Sequence, residues 1–332
     1  MLALTLLLMA QPIAIDWNET PNQYWIGQDW HANRLQDWSV QNNRIICTEA
    51  SKRLPMRTLH LLTARPNTDF TVQVTTGTVD KTNKPNSNSW SGFLLGAGSN
   101  EIDYRLTALT CHLPATNGGY IAGVDHEGFV FLRDNSISVG GTSQWSIGGK
   151  LKPEDVPLIV ATTSTGTGFA TEPAPVLLEV SQTGNTLTVS ATDASTTELL
   201  SQATYDITLQ AGGAVALVSH LGPMGSEAGH WFDDFSLSGD VTHFPERRFG
   251  PVLNTLYTVS GEVMKMTVQF PPLHGNLTAI LQFSDHVERS QIDSTSWTAT
   301  FSIPLWNASS ETPFEVFLED NPYGYKGIIR KE

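Results

Sequence analysis

Residue types able to do chemistry are sparse in this chain of 332 residues and do not gather along it. Two-metal hydrolysis places a water between cations held by Asp, His and Asn, so it calls for Asp-x-His, Gly-Asn-His and Gly-His-x-His clusters. Asp29-Trp30-His31 meets the first pattern alone, Gly229-His230-Trp231 lacks the second histidine, and the nine histidines stand singly, as surface or capping residues do. Gly-x-Ser-x-Gly is absent, and no strand-turn-helix pattern presents a nucleophilic serine. Asp233 and Asp234 are a pair of carboxylates, but successive residues of a strand face opposite sides and cannot share a substrate.

Two binding chemistries remain. A sugar site needs a flat aromatic ring and a few planar polar groups on a concave face or loop rim. The candidates are Trp145 in GGTSQWSIGG, Trp90, and the set Asp103, Tyr104 and Arg105. A structural calcium ion needs oxygen ligands converging from separate loops, for which Asp233 with Asp103 and Asp125 are the candidates. Three sequons, at Asn18, Asn276 and Asn307, matter only if the source glycosylates exported chains.

A net charge of −14 excludes a nucleic-acid partner, because phosphate binding needs clustered Lys and Arg, and Lys52-Arg53 and Arg247-Arg248 are isolated pairs. The apolar run Met1 to Ala14 is too short to span a bilayer of about 30 Å and ends in small residues. It reads as a secretory signal over residues 1–15, with a buried N-terminal strand as the competing reading. A secreted, periplasmic or cell-surface protein with no membrane span is expected. Cys47 and Cys111 can form one disulfide or pack as free buried thiols in their apolar surroundings.

The elements that must position these residues are strands. From Gly212 to Val241, Ala214, Ala216 and Val218 alternate with their neighbours, and a second period-two run carries Trp231, Phe232, Phe235 and Leu237 after a Gly/Pro/Ser-rich gap. Phe70, Val72 and Val74 share one face of another strand, and hairpin turns are expected at Asn42-Asn43, Asp125–Gly128 and Thr183-Gly184-Asn185. No long helix is expected before residue 242, with at most a short turn at Lys152 to Val156. Thr242 to Arg248, THFPERR, reads as the break after the first domain. Six further strand-like runs at short intervals then describe a smaller immunoglobulin- or fibronectin-like sandwich. The fold class is all-β: a large sandwich over 16–242, a linker over 243–248 and a second sandwich over 249–332.

With LLEVSQTGNTLTVSATD, GAVALVSHLG and HWFDDFSLSGDV in order, the first domain resembles the laminin-G-like, concanavalin-type jelly roll. The succession WHANRLQDWSVQNNRIIC, SGFLLGAGSNEIDYRLTAL, GGYIAGVDHEGFVFL, RRFGPVLNTLYTVSGEVMKMTVQFPPL and TPFEVFLEDNPYGYKGIIRKE is similar to the N-terminal region of exported PhoD-like (alkaline phosphatase D) proteins. That likeness runs from about Trp25 to the end. It implies a laminin-G-like and an immunoglobulin-like domain, with a C-terminal phosphatase domain as partner beyond the segment matching GIIRKE. The family's catalytic residues then have no counterparts in these 332 residues, which are expected to be a catalytically silent piece of a longer hydrolase. Its implied role is to contact an extracellular polysaccharide or to position the phosphatase. The alternative is a free-standing secreted carbohydrate-binding, lectin-like protein.

Overall fold

A computed structural model describes residues 12–15, 17–47, 56–79, 89–99, 102–115, 117–136, 158–161, 163–169, 174–221 and 229–331. The chain divides into two compact units, Met1–Thr20 with Asp29–Arg247, and Pro21–Gln28 with Arg248–Glu332. Both are built from antiparallel sheets.

The first unit carries β1 (Ile13–Ile15), β2 (Trp30–His31), β3 (Trp38–Gln41), β4 (Arg44–Cys47), β5 (Met56–Leu61), β6 (Ala64–Thr78) and β7 (Trp90–Ala97). After the helix α1 (Tyr104–Thr110) come β8 (Tyr120–Asp125), β9 (Val130–Asp134), β10 (Thr163–Gly166), β11 (Val176–Thr183), β12 (Thr186–Asp193), β13 (Leu199–Asp206), β14 (Ala214–His220) and β15 (His230–His243). One sheet of nine strands runs β10-β13-β12-β11-β6-β15-β4-β3, with β1 also paired to β15. A six-stranded sheet runs β2-β5-β14-β7-β8-β9. Ile13 to Ile15 therefore belongs to the fold, as the partner of Phe235 to Leu237, inside the stretch read as a signal. The strand β15 likewise runs on through Thr242 and His243, paired with Arg65 and Ala64, into residues read as the break between domains.

Alternation explains the long strands. Phe70, Val72 and Val74 on β6 and Val176, Leu178 and Val180 on β11 are buried, while the residues between them stay partly exposed. The turn between β3 and β4 forms with Asn42 and Asn43 both at positive φ (52° and 62°), the backbone that a two-residue hairpin requires.

The core meets at β15. Phe235 packs edge-on against Trp30 with ring centroids 5.0 Å apart, and it lies 6.4 Å from Phe93 of the facing sheet. Phe232 lies 6.0 Å from Trp38. Each of these buried aromatics contributes on the order of 1.5–3 kcal/mol.

Phe232, Phe235 and Leu237 all point inward, yet the first two are an odd number of residues apart. The strand solves this with a bulge: the register shifts between Asp233 and Ser236, and Asp234 takes φ = 50°. A β-branched residue is poorly tolerated there, so Asp234→Val should cost about 1–3 kcal/mol while Asp234→Gly should cost little. Urea denaturation of the two variants checks this; equal costs would remove the bulge from the explanation.

The segment Tyr104–Thr110 forms a short helix of seven residues. Asp103 caps it, accepting from the Arg105 backbone N–H at 2.9 Å, and Thr107, Ala108 and Cys111 face inward at helical spacing. Cys111 joins Leu94, Ile121, Ala216 and Val218 in a cluster that covers the second face of the six-stranded sheet. For this reason β7 and β14 are buried along their whole length. Cys47 and Cys111 are both buried free thiols.

The second unit is a smaller sandwich of three and four strands. Its strands are β16 (Asn254–Ser260), β17 (Val263–Gln269), β18 (Thr278–Phe283), β19 (His286–Gln291), β20 (Thr298–Pro304), β21 (Thr312–Leu318) and β22 (Asn321–Ile329). The sheets run β16-β17-β20 and β19-β18-β21-β22 around Met264, Met266, Phe301, Phe314 and Val316. β19, HVERSQ, was not expected: a polar edge strand has no buried face to write a period into the sequence.

Candidate functional site

The sites expected from sequence do not converge. Trp90 opens β7 and pairs with Asp125, whereas Ala97 closes that strand beside the helix that Asp103 caps, with Gly98 tight against Thr107. At about 3.3 Å per residue the strand separates these ends by roughly 23 Å. Asp103, Tyr104 and Arg105 therefore lie at one end of the sandwich, and Trp90 and Asp125 at the other. The calcium set of Asp233, Asp103 and Asp125 is divided in the same way.

Each of these carboxylates is also engaged locally. Asp103 takes a two-pronged ion pair from Arg105 at 3.0 and 3.1 Å, which, with the capping bond, holds its carboxyl down at about 2. Asp125 Oδ1 accepts the backbone N–H groups of Glu127 and Phe129 at 2.9 Å each and fixes the hairpin turn. Asp233 faces the Arg44 guanidinium at 3.6 Å. Among the described residues no group of three or more His, Cys, Asp or Glu side chains could hold a metal ion. Tyr104 lies beneath the Arg247 guanidinium, 4.9 Å away. Trp145 lies outside the described residues.

Trp90 is a packing residue and not an open platform. It is 5% exposed, stacked on His220 at 4.6 Å and 5°, and met edge-on by Phe131 at 5.3 Å.

At the Trp90 end, nevertheless, the sandwich opens into a cavity of about 220 Å³ lined in part by Arg44, Asp125, His126, His230 and Trp231. Three strands, β15, β6 and β4, build one wall: Trp231 lies against Gly77, where a Cβ would stand 2.7 Å from the indole, and Arg44 covers the ring at 3.9 Å. Only glycine fits at position 77. The hairpin of β8 and β9 supplies the other wall, bringing Asp125 and His126. His126 Nδ1 is buried and makes no hydrogen bond, a state that costs free energy.

Behind the cavity lies a polar network. Thr76 Oγ1 is 3.1 Å from Ser91 Oγ and donates to the Trp231 carbonyl at 3.0 Å. His230 sits between Ser219 Oγ, 3.0 Å from Nδ1, and Ser89 Oγ, 3.3 Å from Nε2. A serine beside a histidine raises nucleophilic catalysis, but burial, and then the nearby His220, push the His230 imidazole down to about 3. Such a ring is a poor proton acceptor at neutral pH, and its far nitrogen meets a hydroxyl where a carboxylate is needed. The network holds the wall; it does not activate a nucleophile.

The histidines also do not all stand singly. His31 is the cross-strand partner of His60, and His112 lies near enough to lower it further. His60 is wholly buried, with neither ring nitrogen hydrogen-bonded, and burial, then Arg65, His112 and His31, push it down to about 3. No sequence signal marks this group, because its members come from β2, β5 and the segment after α1.

No helix among the described residues is long and apolar enough to cross a membrane. No family model matches the chain, and no curated protein does. Among solved structures it is similar to lectin II from Ulex europaeus, at 9% identity over 69% of this chain and 98% of that one, with a TM-score of 0.42. The VIP36 exoplasmic/lumenal domain in its Ca2+/Man3GlcNAc-bound form aligns at 13% identity over 66% of this chain and 86% of that one, with a TM-score of 0.39. A legume lectin-like domain from Entamoeba histolytica aligns at 13% identity over 65% and 89%, with a TM-score of 0.38.

Proposed function

We propose that this chain is the non-catalytic, carbohydrate-contacting part of an exported PhoD-like phosphatase or phosphodiesterase. The observation that carries the carbohydrate reading is the cavity of about 220 Å³ beside β8 and β9, lined in part by Asp125, His126 and Arg44. Few polar groups placed around a small concave space are what sugar recognition uses. The phosphatase association is supported by the order of five sequence segments along the chain. A free-standing lectin-like protein uses the same cavity, and the coding sequence downstream of Glu332 separates the two readings.

Calorimetric titration of the chain with a panel of neutral monosaccharides is expected to find at least one that binds, with affinity at least tenfold weaker in His126→Ala. No binding across the panel, or binding unchanged by the substitution, would overturn the carbohydrate reading. The pure chain should not hydrolyse p-nitrophenyl phosphate with added divalent metals; clear turnover would sink the non-catalytic assignment.

A further inference from the structure

We infer that the outward face of the nine-stranded sheet binds an extended, neutral polysaccharide laid across its strands. The inference takes its ligand class from the carbohydrate reading above, and otherwise stands on a different surface. Cross-strand pairing from β15 through β6, β11, β12 and β13 to β10 aligns Ser238, Thr71, Ser181, Thr188, Thr204 and Thr163 in one row. Every position is a serine or threonine. Two residues along, a second unbroken row passes from Ser236 through Gln73, Glu179, Ser190 and Gln202 to Thr165.

The buried partners Val72, Val180, Val189 and Ala203 fix the alternation, so both rows must face outward. Strands about 4.8 Å apart make each row roughly 24 Å long, with about 6.7 Å between rows.

The chemistry of the face chooses the occupant. Across the two rows Glu179 is the only ionised side chain, in a chain whose net charge is −14. An exposed sheet usually gains solubility and resists edge association through Lys and Glu. This one does not use them. With no cation in either row, the surface offers nothing to a carboxylated or sulfated polymer or to a nucleic acid. The two rows also lack the aromatic and apolar centre that a protein partner or a second copy would bury, Leu177 and Leu199 standing in the next row of that face. What it offers is a hydroxyl or amide at each strand, at a pitch close to the advance of one pyranose in an extended β-linked chain. Threonine is stiff at χ1 and serine is short, so ordering them on a ligand costs little conformational entropy. Each contact is weak, and binding should grow with the number of strands a chain crosses.

The test is affinity electrophoresis of the full chain in gels containing mixed-linkage β-glucan or β-mannan, with titration by β-linked oligosaccharides of increasing length. Retardation is expected in the neutral polymers and not in polygalacturonate, with affinity rising until about five sugars span a row. The triple variant Thr71→Val, Ser181→Ala, Thr188→Val keeps β-propensity and should lose retardation at least fivefold. Ser181→Arg, which obstructs the middle of the row, should do the same. The row variants should keep the monosaccharide binding proposed for the cavity, none of whose lining residues they touch, so failure of the cavity reading and failure of this one are told apart. Absence of retardation in every neutral polymer, preference for the acidic one, a plateau at one or two sugars, or unchanged retardation of both row variants would overturn the inference.

Discussion

Replacing Asp37 with asparagine is expected to lower the unfolding free energy of the first unit by about 3–5 kcal/mol. Asp37 closes a short 3-10 turn just before β3 and is 1% exposed. It accepts from Arg57 Nε on β5 at 2.5 Å and lies 3.2 Å from Arg34 Nε. Arg57 is itself buried, and one of its terminal nitrogens donates to the Met56 carbonyl at 3.0 Å. The ion pair therefore joins the lead-in to one sheet with a strand of the other. Removing the acid leaves a guanidinium in a low-dielectric interior with its main counter-charge gone, and that uncompensated charge dominates the cost. The double variant Asp37→Leu, Arg57→Met removes both charges at similar volume and should recover most of the loss. Urea denaturation of the single and double variants gives the coupling. A single-variant cost under about 1 kcal/mol would mean that the pair contributes no more than a surface bridge.

Much of the fold could be read along the chain because its strands are long and one-sided. The buried row Phe70, Val72, Val74 and the Asn42-Asn43 turn are local patterns, each fixed by the geometry of one strand or one hairpin. The features that escaped are those in which tertiary context overrules the pattern. Asp233-Asp234 looked like simple alternation, and only the need to bring both Phe232 and Phe235 inward forces the bulge. Tyr104 to Thr110 mixes Tyr and Thr, which suit strands, with Leu, Ala and Arg, which suit helices, and the Asp103 cap and the inward step from Thr107 to Cys111 decide for a helix. The Asp103 cap was the available signal.

The candidate site was less legible still. Trp90 reads along the chain as a flat aromatic able to face a sugar, but its neighbours His220 and Phe131 come from other strands and bury it. Asp103 and Asp125 share a residue type that suits calcium, but the length of β7 sets them apart. His126, next to a chosen residue, carries the unpartnered nitrogen, and nothing local distinguishes it from a surface histidine. The hydroxyl rows are invisible along the chain because each position comes from a different strand and only the register aligns them.

The first unit should also be unusually sensitive to mild acid, more than the second. His60 and His230 are both pushed down to about 3 in the folded state, chiefly by burial, from an ordinary value of 6.5. Above pH 6.5 neither state takes up a proton at these rings, and their contribution does not vary with pH. Below it the unfolded chain binds two protons that the folded unit refuses, so stability falls by about 1.4 kcal/mol per pH unit for each ring until the folded values are reached. By pH 5 the two together should have cost on the order of 4 kcal/mol. Burial lowers His31 and His112 as well, which adds a loss of the same sign. The depressed carboxylates Asp103, Asp193 and Asp240 contribute only below their unfolded values, near pH 4 and under. The window from pH 6.5 to 4.5 thus belongs to the histidines. The second unit holds no buried histidine among the described residues, His274 and His286 both being exposed. Scanning calorimetry from pH 7.5 to 4.5 should show the first unit's transition falling steeply. His60→Leu and His230→Gln should each reduce the slope by about one proton's worth, and a slope unchanged in both variants would place the acid sensitivity elsewhere.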